Sequence, residues 1–172
     1  NDFDTPIKHL KMKTGYHKNI AKKNVCAVGL SAGFVEPLEA TGITFTTAVV
    51  EYVTEQLNMS GNVWGPTSHR RINQHFQMMS DEILAFVWAH YYYSSKNDTE
   101  YWKEIRNLKL DDLPEGSKKM ISSLLPAPAR YFMYSPDSMF SVCQWFSMLK
   151  AGGAYDNIDP YITEKQEQYG KY

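Results

Sequence analysis

The 172 residues, 43% hydrophobic and 14% aromatic, suffice for one domain of ordinary size with a packed core. A formal net charge of −1 gives no electrostatic reason to expect nucleic acid or an anionic membrane. No apolar run approaches the ~20 residues of a membrane helix, and Cys26 and Cys143 form neither a disulfide framework nor, with the scattered His residues, a metal site. A reducing, cytoplasmic setting without a metal is expected.

In chain order, Leu10 and Met12 alternate with Lys11 and Lys13 between Pro6 and Gly15, the pattern of a half-exposed strand and a turn. The lysines at 8, 11, 13, 18, 22 and 23 suit a solvated strand face and loop better than a phosphate-binding surface. Val25, Cys26, Ala27 and Val28 read as a short strand buried on both faces, as in a parallel sheet. Gly29 and Gly33 follow at its C-terminal end, where open α/β sheets place ligands and where close backbone approach or a positive φ is wanted. Glu36-Pro37 forces an extended or turning backbone. Glu39, Ala40 and Thr41 then emerge onto a helix with the apolar stripe Ile43, Val49, Val50, Val53 and Leu57. Thr41 is its expected N-cap with Gly42 beside it, and exposed amides there attract an anion. The same residues also read as a plain strand, turn and capped helix, with Glu39 a first-turn acid favoured by the helix dipole.

Gly61, Gly65 and Pro66 make residues 58–68 a loop, in which Gly61 should tolerate alanine. Helical spacing resumes from Arg70 through Ile72, Phe76, Met79, Ile83, Phe86 and Val87 into the aromatic cluster Trp88 to Tyr93. His90 has the residue type of an acid or base, but among Trp88, Tyr91 and Tyr93 it reads as a hydrogen-bonded structural histidine. A short helix is expected over 99–110, capped by Asp98 or Thr99, and another over 118–125 before Pro126 and Pro128. The last is expected over 138–150 with Gly152-Gly153 beyond its end, followed by a frayed tail over 161–172.

Three stretches carry a resemblance. Gly29-Leu-Ser-Ala-Gly-Phe-Val-Glu-Pro-Leu-Glu-Ala-Thr-Gly42 resembles the G-x-x-x-G-F-x-E-P-L-E-[SA]-T-G signature of flavin-dependent tryptophan halogenases. The block from Ala85 to Trp102 is similar to that family's F-I-x-x-H-Y…D-x-x-F-W segment. The last helix falls where the family carries F-W-x-x-x-x-Y-Y-C-x-x-A-G-x-G, with Phe140 in place of the tryptophan and Trp145-Phe146 as the aromatic pair.

The resemblance implies a mainly α chain with a small β portion at the N-terminus. Residues 1–60 would end a flavin-binding α/β module, and residues 61–172 would form a helical substrate domain. By resemblance Glu39 is the catalytic carboxylate, set across the substrate from an essential lysine, Thr41 and Gly42 bind halide, and Leu30 and Ile43 contact the flavin. Glu36 is given a loop-holding role, and Phe140, Gln144, Trp145 and Phe146 fall in the substrate pocket. Uncharged Ser135 stands near the family's acid that helps hold the amino-acid group, so an indole or phenol without a zwitterion is the expected substrate. Reduced FAD from a separate flavin reductase, oxygen and a halide complete the chemistry, and a homo-oligomer is left open.

The family's G-x-G-x-x-G motif, essential lysine and W-x-W-x-I-P motif do not occur in these residues. A C-terminal part is therefore expected, inactive without an N-terminal FAD-binding half. Two other readings stand beside this one. A flavin-dependent aromatic hydroxylase shares the flavin fold, against which the halide residues and Glu39 argue. A non-catalytic helical binding module on the same scaffold is favoured by the missing phosphate loop.

Overall fold

The computed structural model describes residues 8–154 apart from 12, 37, 62, 106 and 125–137. At its centre is the helix α2, Pro66–Tyr92. Pro66 takes the first helical position after extended Gly65, where its missing N–H costs nothing. Ile72, Phe76, Met79, Ile83 and Phe86 are buried at helical spacing, and every residue from Ala85 to Ala89 is buried as well. A helix apolar on most of its circumference must be covered on several sides, and α2 is.

One side packs against α1, Thr41–Met59, through Phe45, Val49 and a Phe45–Phe76 ring stack at 5.0 Å. A second takes α4, Glu115–Leu124, with Met120 and Ile121 buried. A third takes α5, Val142–Ala151, where Trp145 and Leu149 are fully buried. A short α3, Glu100–Ile105, comes between α2 and α4 in the chain. Each large side chain so buried contributes about 1.5–3 kcal/mol. Polar ties fix the register. Glu82 accepts from the Ser138 hydroxyl and from the amides of Met139 and Phe140 at 2.8 and 3.3 Å, and Ser117 donates to the Asp81 carbonyl at 2.8 Å. Ser141 caps α5 by a reciprocal exchange with Gln144, and Gly152 ends the helix.

The β portion is two antiparallel ladders of two-residue strands, β1 (Gly15–Tyr16) with β4 (Gly33–Phe34) and β2 (Ala21–Lys22) with β3 (Val25–Cys26). The second hangs from α2, because Asn73 accepts from the amides of Ile20 and Ala21, both at 2.8 Å, and donates to the Ala21 carbonyl at 3.0 Å.

Several boundaries differ from the sequence expectations. Residues 25–28 are not a buried parallel strand: Lys23 at φ 54° turns the chain into the β2–β3 hairpin, and Val25 is 61% exposed. Among the described residues of 8–14 there is no strand, since the ladder begins at Gly15. Thr41 is not the N-cap; left-handed Ala40 occupies that position and Thr41 is the first helical residue, its side chain buried. The buried stripe of α1 is accordingly Thr41, Phe45, Val49 and Gln56, leaving Ile43 and Val50 exposed. Helix α2 starts four residues before Arg70, and Gly61 sits at φ 63°, in the left-handed turn just past α1. The region around Ser135 and the tail over 161–172 lie outside the described residues.

Candidate functional site

A cavity of about 600 Å³ opens between the β1–β4 ladder, the Gly29–Ser31 turn and the first turns of α1, with Ser80 and Ile83 of α2 behind it. Local sequence explains each wall. Gly29 adopts φ 59°, a conformation that favours glycine. Gly33 is required by close approach, because a Cβ there would lie 2.5 Å from the Cβ of Tyr16 across the ladder. From Phe34 the chain passes through Glu36 to a tight turn, Leu38–Ala40, with Glu39 in its middle. Ala40 at φ 50° carries strain of about 1–2 kcal/mol, and that bend feeds the turn directly into α1.

The structure brings Leu30, Thr41, Gly42 and Ile43 onto this one cavity, together with Glu36, and places Glu39 two residues before Thr41. The first amides of a helix have no intrahelical acceptor and lie at the positive end of its dipole. Thr41 and Gly42 line the cavity, and a Cβ added at Gly42 would meet nothing within 4 Å. Leu30 and Ile43 are 75% and 77% exposed. A cavity lined by two bare aliphatic side chains and by the start of a helix suits the edge of a flat cofactor ring such as a flavin, and a helix N-terminus attracts a small anion.

Two polar clusters hold the walls. Both Glu36 oxygens accept from the Tyr91 hydroxyl, at 3.0 and 2.9 Å. Tyr16, on the cavity wall, donates to Asp81 Oδ1 at 2.7 Å and accepts from Gln77 at 3.0 Å. Burial, and then the Asp81 carboxylate, push the Tyr16 phenol above its ordinary value. Sequence reasoning passed over Tyr16, Gln77, Asp81 and the Glu36–Tyr91 bond. The residues in these bonds are up to 65 apart in the chain, and no local spacing signals them.

The residues assigned by resemblance to a substrate pocket gather elsewhere, around Phe86. Phe140 stacks on it at 3.7 Å and Trp145 meets it edge-on at 4.8 Å, both buried. Gln144 is engaged with Ser141, and Phe146 is half-buried beneath Lys150 Nζ. None of the four lines the cavity at α1. His90 Nδ1 lies 3.1 Å from the Phe86 carbonyl, the structural arrangement expected of it. Among the described residues no three His, Cys, Asp or Glu side chains are grouped to hold a metal, and no helix is long and apolar enough to cross a membrane.

The tryptophan halogenase family matches residues 2–167. The tryptophan 6-halogenase of Streptomyces toxytricini is 33% identical over 109 residues, covering 63% of this chain and 20% of its own. Its crystal structure superposes with a TM-score of 0.68 at 27% identity, over 91% of this chain and 33% of that one. The tryptophan 7-halogenase of Lentzea aerocolonigenes is 30% identical over 107 residues, covering 62% of this chain and 20% of its own. A flavin-dependent halogenase from a Brevundimonas species shares the fold at 22% identity, with a TM-score of 0.64 over 90% of this chain and 32% of that one. The chain thus spans between about a fifth and a third of the length of the relatives it matches. Matched almost from end to end, and folded as the corresponding part of these enzymes, the chain belongs to the tryptophan halogenase family.

Proposed function

We propose that the whole protein is a cytoplasmic halogenase of a small aromatic molecule, indole- or phenol-like and without an amino-acid zwitterion. It would use reduced FAD from a separate flavin reductase, oxygen and a halide. The observation that carries this reading is the convergence of Leu30, Thr41, Gly42 and Ile43 on one cavity, with Glu39 on the turn that leads into it. In the proposed arrangement the amides of Thr41 and Gly42 hold the halide at the α1 N-terminus. Leu30 and Ile43 flank the cofactor ring. Reduced flavin, when bound there, would activate oxygen, which is the oxidant that turns halide into a halogenating agent. Glu39 orients that agent, stabilises the positive charge developing on the substrate ring as the carbon–halogen bond forms, and accepts the ring proton that leaves. Residues 1–60 would serve the cofactor and halide side and residues 61–172 the substrate side, with an N-terminal half supplying the dinucleotide loop and the lysine.

The test is turnover of the full-length protein with a flavin reductase, oxygen and bromide, offered indole, phenol and tryptophan in parallel and read by mass spectrometry. A brominated indole or phenol is expected, with tryptophan the poorer substrate. A hydroxylated product without bromine would replace this reading with a hydroxylase.

A further inference from the structure

Tyr16 lines the cavity and is held at both ends. Its backbone is fixed by the β1–β4 ladder opposite Gly33, where the absence of a side chain makes room for the Tyr16 Cβ, and next to it the His17 amide donates to the Ala32 carbonyl at 2.9 Å. At the far end its hydroxyl donates to Asp81 Oδ1 at 2.7 Å and accepts from Gln77 Nε2 at 3.0 Å, and Gln77 also donates to Asp81 at 3.3 Å. The ring between them meets Phe76 edge-on, 6.2 Å between centroids. Asp81 is itself fixed. It is buried on α2, its carbonyl accepts from the buried Ser117 of α4, and Gly116 packs closely against its carboxylate. A cavity wall is thereby tied to the core where α2 and α4 meet. A side chain already held in place loses little further freedom when a ligand closes on it, and that saving appears as affinity.

We propose that Tyr16 is a contact residue for the cofactor ring, and that Asp81 and Gln77 are positioning residues that fix its side chain before the cofactor arrives. This role rests on the flavin reading above and adds to Leu30 and Ile43 a contact from the ladder side of the cavity. It differs from a purely structural tie in one respect, that cutting the tether weakens the cofactor and not only the fold.

The full-length protein is titrated with FAD by fluorescence. Tyr16→Phe keeps the ring and cuts the tether, and is expected to weaken FAD binding about two- to tenfold. Asp81→Ala cuts the same tether from the other side and should cost a similar factor. Because one tether is lost in either case, the double variant is expected to bind no more weakly than the poorer single one. Asp81→Asn keeps an acceptor for the hydroxyl and should bind within about twofold of wild type. FAD affinity unchanged in Tyr16→Phe, with only the thermal midpoint lowered, overturns the role, and so do losses that add in the double variant. Should these variants fail to fold, a fluorinated tyrosine placed at position 16 of the otherwise unaltered protein decides. Its fluorine resonance is expected to move when FAD is added, and a resonance that stays in place overturns the contact. A folded wild type that binds no FAD sinks the cofactor reading itself and the Tyr16 role with it.

Discussion

Glu39 and Glu82 are both carboxylates, placed at different points of the fold. Glu39 lies on the Leu38–Ala40 turn that leads into α1, two residues before Thr41. If it stabilises a cationic ring and removes a proton, Glu39→Gln keeps the volume and loses both functions. Halogenation by the full-length protein should fall on the order of 10²-fold, while flavin reoxidation, followed in the same assay, stays near wild type. Equal loss of both would make Glu39 a holder of the loop. Glu82 is buried in the core on α2, and burial raises its carboxyl above the ordinary value although Ser138 and the amides of Met139 and Phe140 donate to it. The native state therefore binds this proton more tightly than the unfolded chain does. The stabilisation is complete below the ordinary carboxylate value and is lost as pH rises through the raised native one. Unfolding of wild type and Glu82→Gln by urea at a series of pH values should show the wild type gaining on the variant as pH falls from neutral through that window. A difference independent of pH would mean that Glu82 titrates normally.

Between elements, close approach at glycine is what lets α4 dock. A Cβ on Gly116 would lie 2.0 Å from Asp81 Oδ2 and 2.6 Å from its Cγ, and Asp81 cannot swing away freely because its other oxygen is held by Tyr16 and Gln77. Gly116→Ala should therefore cost about 1–3 kcal/mol. Gly61→Ala should cost about 1–2 kcal/mol for a different reason, its left-handed φ of 63°, although no atom stands in the way. Gly65→Ala, with an extended backbone and open space around it, should be nearly silent in the same denaturation series. The helices themselves were legible because a 3.6-residue period survives in Ile72, Phe76, Met79, Ile83 and Phe86 whatever packs against them. The strands were not. Gly15–Tyr16 pairs with Gly33–Phe34 across a hairpin, and two residues are too few for an alternating pattern to register. Gly61 looked like an ordinary loop glycine because sequence does not report φ.

For the whole molecule, the run from Gly29 to Gly42 was readable as a site through its resemblance to the family signature, since by composition and spacing alone it reads as a plain strand, turn and capped helix. What joins that run to the rest was not readable: Tyr91 on Glu36 and Asp81 on Tyr16 are made by folding α2 back across the N-terminal segment. Nor do composition and spacing show that Leu30 and Ile43, assigned to the flavin only by resemblance, would line one cavity with most of their surface bare. Aliphatic side chains at such exposure have no role in this chain's core, and their placement is explained if a flat aromatic ring lies against them. Covering roughly 30 Å² of each would contribute about 1.5 kcal/mol for the pair, about tenfold in affinity. Replacing both by serine should therefore weaken flavin binding to the full-length protein about tenfold, measured by fluorescence titration. In the 172-residue chain by itself the same double change should leave the thermal midpoint in place, since neither side chain is buried, and reduce binding of an apolar-surface dye. Flavin affinity unchanged by Leu30→Ser with Ile43→Ser would remove these two residues from the cofactor site and leave their exposure to be explained by another contact.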